Sequence, residues 1–371
     1  MTTGGIHNPI INSPYEPPEQ HFELGPNGPT GALLAGRRPS ESFIPVPPTR
    51  KGHGGQGALD LEGTGERRER NDLVNSVRHQ VDLWRVRHYP WVTPITRKLL
   101  QYWAAGPPDR DDPVLFCQRE AAETAIFLAE VAGRHGYPDW RTRLTEQNAT
   151  HNAGLPRVGI KMATGSGKTV VMAMLIAWQT LNKVTSPSDA RFTKRFLVVT
   201  PGITIRDRLR VLHPEDQGNY YQERDLVPTG FWGSLIQAQI VVTNYHGFLL
   251  RDAKELKGVA ANTRKLLVAG KTRDPFRETP EEMVGRVLRD LGSGGRGELL
   301  VLNDEAHHCY QDRPLDQDAA QADEPDAEAR ERNRGARVWF NGLRAVRRRV
   351  GVKAVYDLSA TPFYLSGSGY N

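Results

Sequence analysis

"KMATGSGKTVVMAML", residues 161–175, decides how the rest of this 371-residue chain is read. An apolar run, "RVGIKM" at 157–162, enters a loop holding Gly165 and Gly167, then Lys168 and Thr169, then a helix whose first turns are apolar. Strand, glycine-containing loop and helix in that order make a phosphate cradle. Glycines let backbone N–H groups close on phosphate oxygens, and the helix N-terminus adds a partial positive charge. Lys168 is placed to neutralise the β and γ phosphates of a nucleoside triphosphate, and the Thr169 hydroxyl to ligate Mg²⁺. Ala163, Thr164, Gly165, Ser166 and Gly167 form the cradle itself. The general form of this loop has glycine where this chain has Met162.

Downstream, short apolar runs alternate with helical stretches, which predicts an α/β fold with a mostly parallel sheet and crossover helices. The further strands expected are 195–200, 239–243, 299–303 and 353–359. Two stretches break the rhythm. Residues 251–297 are charged, with a helical piece around "PEEMVGRVLRDLG". Residues 311–335 turn from acidic to basic with almost no large apolar groups, and are expected to be a flexible surface excursion. Just after it, Trp339, Leu343, Val346 and Val350 stand at helical spacing, a core stripe with arginines elsewhere around the helix.

The strand before that excursion ends in "LLVLNDEAHHCY", residues 299–310. It delivers Asp304 and Glu305 at the carboxyl edge of a parallel sheet, where ligands bind. Asp304 is suited to hold Mg²⁺, and Glu305 to orient or deprotonate an attacking water; the two suffice for hydrolysis. His307, His308 and Cys309 are adjacent on one backbone without a second ligand cluster, which argues against zinc.

Upstream, residues 1–71 are crowded with Pro and Gly and lack periodic apolar positions, so they are expected to be a disordered leader. Residues 72–150 read as a helical preface, including a helix that starts with Thr93 as N-cap and Pro94 in the first turn. The chain carries 49 basic and 43 acidic side chains, net +6, which permits nucleic-acid binding without demanding it. Its two cysteines, Cys117 and Cys309, offer no disulfide or zinc framework and suit a reducing compartment. No run of roughly 18 apolar residues occurs, and the N-terminus lacks a basic start followed by an apolar core. The expectation is a cytoplasmic protein with no membrane partner.

In chain order, "ATGSGKT" at 163–169, "DEAH" at 304–307 and "SAT" at 359–361 resemble motifs I, II and III of superfamily 2 helicases and translocases. Within that superfamily the chain is similar to DEAD/DEAH-box proteins related to the Res subunit of type III restriction enzymes. "FCQREAAETAIFL", "VVTPGITIRDRL" and "IVVTNYHGFLLRD" extend the match. The resemblance implies a RecA-like P-loop NTPase domain over residues 151–371, with ATP and Mg²⁺ as cofactors. It implies an ATP-dependent helicase or translocase of restriction-modification type acting on nucleic acid, duplex DNA ahead of RNA. Gln118 matches a glutamine that reads adenine, a task its carboxamide suits because it both donates and accepts. Thr200, Pro201 and Gly202, with Thr243 and Asn244, match positions on the nucleic-acid side. His307 with Ser359, Ala360 and Thr361 would couple that side to hydrolysis.

The same resemblance implies a second RecA-like domain that supplies arginine fingers, and a DNA methyltransferase subunit as partner. The chain ends about 10 residues after "SAT", so that second domain is expected to come from elsewhere and the chain alone to hydrolyse slowly. The alternative is a module that binds nucleotide or DNA without catalysis. Glu255-Leu256-Lys257 fits half of a nuclease pattern but lacks the strand context, and is read as chance.

Overall fold

A computed structural model describes residues 10–25, 28–45, 66–105, 113–251, 277–292, 295–309 and 327–360. Two antiparallel ribbons come first: β1 (Gln20–Gly25) pairs with β2 (Gly28–Ala35), and β3 (Glu41–Pro45) with β4 (Glu66–Arg70). Over the described residues this corrects the expectation of a disordered leader at 1–71; residues 1–9, 26–27 and 46–65 lie outside the described residues. The ordering comes from a local side-chain clasp and from contacts distant in sequence. The Asn12 carboxamide accepts from Glu19 N (2.9 Å) and donates to Gln20 O (2.9 Å). Arg37 grips Glu120 through both terminal guanidinium nitrogens, and Phe116 N donates to Pro14 O at 2.8 Å. Proline and glycine remove periodicity without preventing exposed edge strands.

Helices follow: α1 (Asp72–Val86), α2 (Pro94–Ala105), α3 (Phe116–Ile126) and α4 (Trp140–His151). Thr93 Oγ1 accepts from Thr96 N at 3.0 Å, the N-cap bond that the Thr-Pro pair predicts. A single π-helical turn, Phe127–Val131, continues α3. It carries buried Glu130, which accepts from Thr96 Oγ1 (2.7 Å), Trp178 Nε1 (2.8 Å) and Thr93 N (3.1 Å). A carboxylate so far from water is tolerable only with such partners.

The central sheet holds five parallel strands: β5 (Arg157–Lys161), β6 (Arg195–Thr200), β7 (Gln239–Asn244), β8 (Leu299–Asp304) and β9 (Ala354–Ser359), in the order β5-β9-β8-β6-β7. Their connections contain α5 (Lys168–Thr185), α6 (Ile203–Arg208), α7 (Tyr220–Glu223), α8 (Trp232–Leu235), α9 (Pro280–Val287) and α10 (Ala327–Val350). Alternation along each strand sorts the side chains to two faces. Phe196, Val198, Leu300, Leu302, Tyr356 and Leu358 join the core under α2, α3 and α5. Leu197, Val199, Leu299, Val301 and Val355 join the opposite core with α9 and α10. Helix α5 is buried at every position from Val170 to Asn182, so removing a large side chain such as Trp178 would cost about 3–5 kcal/mol.

Helix α10 begins at Ala327, so the expected flexible excursion is helical over its last part, and residues 310–326 lie outside the described residues. Among the described residues no helix is long and apolar enough to cross a membrane.

Candidate nucleotide site

The order β5-β9-β8 sets the three sequence motifs side by side at the carboxyl edge. The loop after β5 opens into α5 with Gly167 as N-cap at φ 83°, a left-handed conformation that glycine adopts freely. Ser166 N and Oγ both donate to Ala163 O, at 3.2 and 2.6 Å, closing the loop on itself. A Cβ on Gly165 would meet nothing within 4 Å, so the cradle faces open space. A Cβ on Gly167 would lie 2.1 Å from Gln118 Nε2. That close approach has a purpose: Gln118 Nε2 donates to Ser166 O at 3.0 Å, while its Oε1 accepts from Leu115 N at 3.0 Å. Gln118 is buried and braces the phosphate loop with the same carboxamide that the resemblance assigns to adenine.

At the end of β8, Lys168 Nζ reaches Glu305 Oε1 at 2.9 Å. Glu305 is held in the left-handed region at φ 48°. Burial, and then the neighbouring Glu305 charge, push the Asp304 carboxyl up to about 6, against the pull of Lys168 and a backbone hydrogen bond. This pair of hard oxygen donors, the Asp304 carboxylate with the Thr169 hydroxyl at the first turn of α5, fits Mg²⁺ chemistry, and a cation would relieve the poorly solvated charge at Asp304. Thr361 lies outside the described residues, but Ser359 is placed: its Oγ is 2.9 Å from His307 Nδ1, and its carbonyl accepts from Met162 N at 2.9 Å. The His307 ring is also 3.5 Å from Glu305 Oε2, and burial holds its pKa below the ordinary value. Cys309 is fully buried, with its thiol pushed up to about 12 by that burial.

The residues expected on the nucleic-acid side sit at the ends of β6 and β7. Thr200 is completely buried and its hydroxyl donates to Gly202 O at 2.8 Å, so that hydroxyl faces the turn and not a phosphate. Pro201 and Gly202 are half-buried. Asn244 Oδ1 accepts from Gly247 N at 3.2 Å and caps the turn Tyr245–Phe248. Thr243 Oγ1 donates to Asn244 O at 3.2 Å.

Sequence reasoning missed a buried polar group one layer beneath the site. Asp357 Oδ2 accepts from Arg157 Nε at 2.7 Å, and its Oδ1 from Asn303 Nδ2 at 2.6 Å. Asn303 directly precedes Asp304, and Asp357 stands two residues before Ser359. Polar residues inside otherwise apolar strands were the available signal.

A parallel sheet with a phosphate loop, and with acidic and Ser-Ala motifs at adjacent strand ends, defines a RecA-like P-loop domain of the helicase kind. The type III restriction enzyme res subunit family matches residues 117–363, well over half of the chain, and the chain belongs to that family. No curated protein and no solved structure matches it. The family makes the chain a helicase-like module for binding and hydrolysing nucleotide, of a kind that interacts with nucleic acid.

Proposed function

We propose that the chain is the ATP-binding module of an ATP-driven translocase on duplex DNA, of restriction-modification type. The observation that carries this reading is the 2.9 Å contact between Lys168 and Glu305, set beside Asp304 and joined to the third motif through His307 and Ser359. In the free site the phosphate-binding cation and the water-activating carboxylate neutralise each other. A triphosphate competes for Lys168 and releases Glu305 to accept a proton from water, whose oxygen bonds to the γ-phosphorus as the bond to the bridging oxygen breaks. Thr169 and Asp304 would hold Mg²⁺, which when bound neutralises phosphate charge. Gln118, braced on the loop it supports, has donor and acceptor capacity left for a purine edge. The backbone N–H of Gly202, after Pro201, and the Thr243-Asn244 corner contact the DNA backbone without reading sequence. A second RecA-like domain would supply arginine fingers, and a DNA methyltransferase subunit is the partner that the restriction-type reading implies.

The test is ATP hydrolysis by the 371-residue chain, with and without duplex DNA or RNA. Slow hydrolysis that needs Lys168 and rises with duplex DNA is expected. Hydrolysis indifferent to both nucleic acids would overturn the translocase reading, and stimulation by RNA alone would overturn DNA as the track.

A further inference from the structure

Helix α10 carries Gly335, Trp339 and Gly342 at positions i, i+4 and i+7, one face of a helix. A glycine inside a helix costs about 1 kcal/mol relative to alanine, so two on one face call for a reason. The turn Tyr245–Phe248 supplies it. A Cβ on Gly342 would come within 2.2 Å of Phe248 Cγ, and one on Gly335 within 3.3 Å of the Tyr245 ring. Between them, the Trp339 ring lies parallel to that of Tyr245, with centroids 6.0 Å apart and planes 6° from each other. The turn is thus seated on helix backbone at Gly335 and Gly342, with the Trp339 ring between them. Its other end is Asn244, whose side chain caps it.

The indole does a second thing. Trp339 is completely buried, and its Nε1 donates to Asn303 Oδ1 at 3.3 Å. Asn303 is the residue before Asp304, and its amide is anchored on Asp357. One side chain therefore touches both the turn that follows the Thr243-Asn244 corner and the strand end that presents the metal-binding carboxylate.

We infer that Trp339 is a coupling residue, carrying the state of the Thr243-Asn244 corner to Asp304 along Tyr245, Trp339 and Asn303. This route runs on the sheet face opposite α5 and is separate from the His307–Ser359 contact. It rests on the nucleic-acid role proposed for that corner. Closely packed groups do not yield gradually, so a shift of the turn when DNA binds must move the indole or break its hydrogen bond. Coupling of this kind is reciprocal: what DNA does to nucleotide affinity, nucleotide does to DNA affinity.

Equilibrium binding tests this without requiring hydrolysis. Affinity for a fluorescent ATP analogue with Mg²⁺ is measured on the full chain with and without saturating duplex DNA. In the wild type the two affinities should differ by about fivefold or more. Trp339→Phe keeps a ring against Tyr245 but has no N–H; Tyr245→Leu removes the stack from its half-buried end and serves if the buried variant fails to fold. In either variant the factor should fall to within about twofold of unity, while the affinity for each ligand alone stays within about twofold of wild type. A folded variant that keeps the wild-type factor overturns the route. A variant that weakens nucleotide binding without DNA yet preserves the factor marks Trp339 as structural only and overturns it too. A wild type whose nucleotide affinity ignores duplex DNA overturns the DNA reading of the corner, and the route with it.

Discussion

Lys168 Nζ and Glu305 Oε1 form an ion pair at 2.9 Å, with the two side chains 10% and 28% exposed. A nucleotide must break this pair to gain Lys168. Glu305→Gln should therefore bind ATP more tightly, by about fivefold for a pair worth about 1 kcal/mol, while losing about 10²-fold or more in hydrolysis. Lys168→Ala should lose both. A titration with a fluorescent ATP analogue beside a phosphate-release assay separates the outcomes; weaker binding by Glu305→Gln would refute a competitive role for the pair.

The two loop glycines are not equivalent. Gly165→Ala bears only the strain of φ +78°, about 1 kcal/mol, because its Cβ meets open space. Gly167→Ala bears similar strain at φ +83° and must also expel Gln118. Thermal unfolding should place Gly167→Ala below Gly165→Ala in stability. Equal melting temperatures would mean that Gln118 does not brace the loop.

The five sheet strands could be read from the chain because each is an apolar run of strand length, and their observed bounds differ from the expected ones by a residue at most. The phosphate loop and the Asp304–Glu305 pair were legible for the same reason: local spacing dictates local geometry. What local spacing cannot carry is strand order, and β9 slotting between β5 and β8 is what lets Ser359 meet both Met162 and His307. The ribbon β1–β2 was missed because its order depends on Arg37 and Pro14 meeting residues about a hundred positions away. Asn303, Asp357 and Arg157 were passed over as strand residues, since only the folded sheet brings them together.

Arg37 and Glu120 offer a test of the first ribbon's attachment. Their side chains are 29% and 12% exposed, and the pair should be worth about 1 kcal/mol. Arg37→Ala and Glu120→Ala should each speed amide exchange in β1 and β2, and the double variant should speed it no further than either alone. Additive effects would show that the two residues act independently.

Burial raises the Glu130 pKa above its ordinary value, against its three hydrogen bonds and the nearby Arg191 charge. The folded state thus holds this proton more tightly than the unfolded chain does. The stabilisation from proton binding is fully present below the unfolded value and is lost as pH rises through the folded one. Chemical denaturation of wild type and Glu130→Gln should show the wild type's relative stability falling as pH rises above the ordinary glutamate value of about 4.3. A difference that does not change with pH would contradict this.

Glu305 sits at φ 48°, where an ordinary side chain costs about 1 kcal/mol and glycine almost nothing. The residue that suits this backbone best is one with no chemistry to offer. A library of this chain ranked by heat resistance would be expected to enrich glycine at 305 and, on the role proposed for Glu305, to count an inert protein as an improvement.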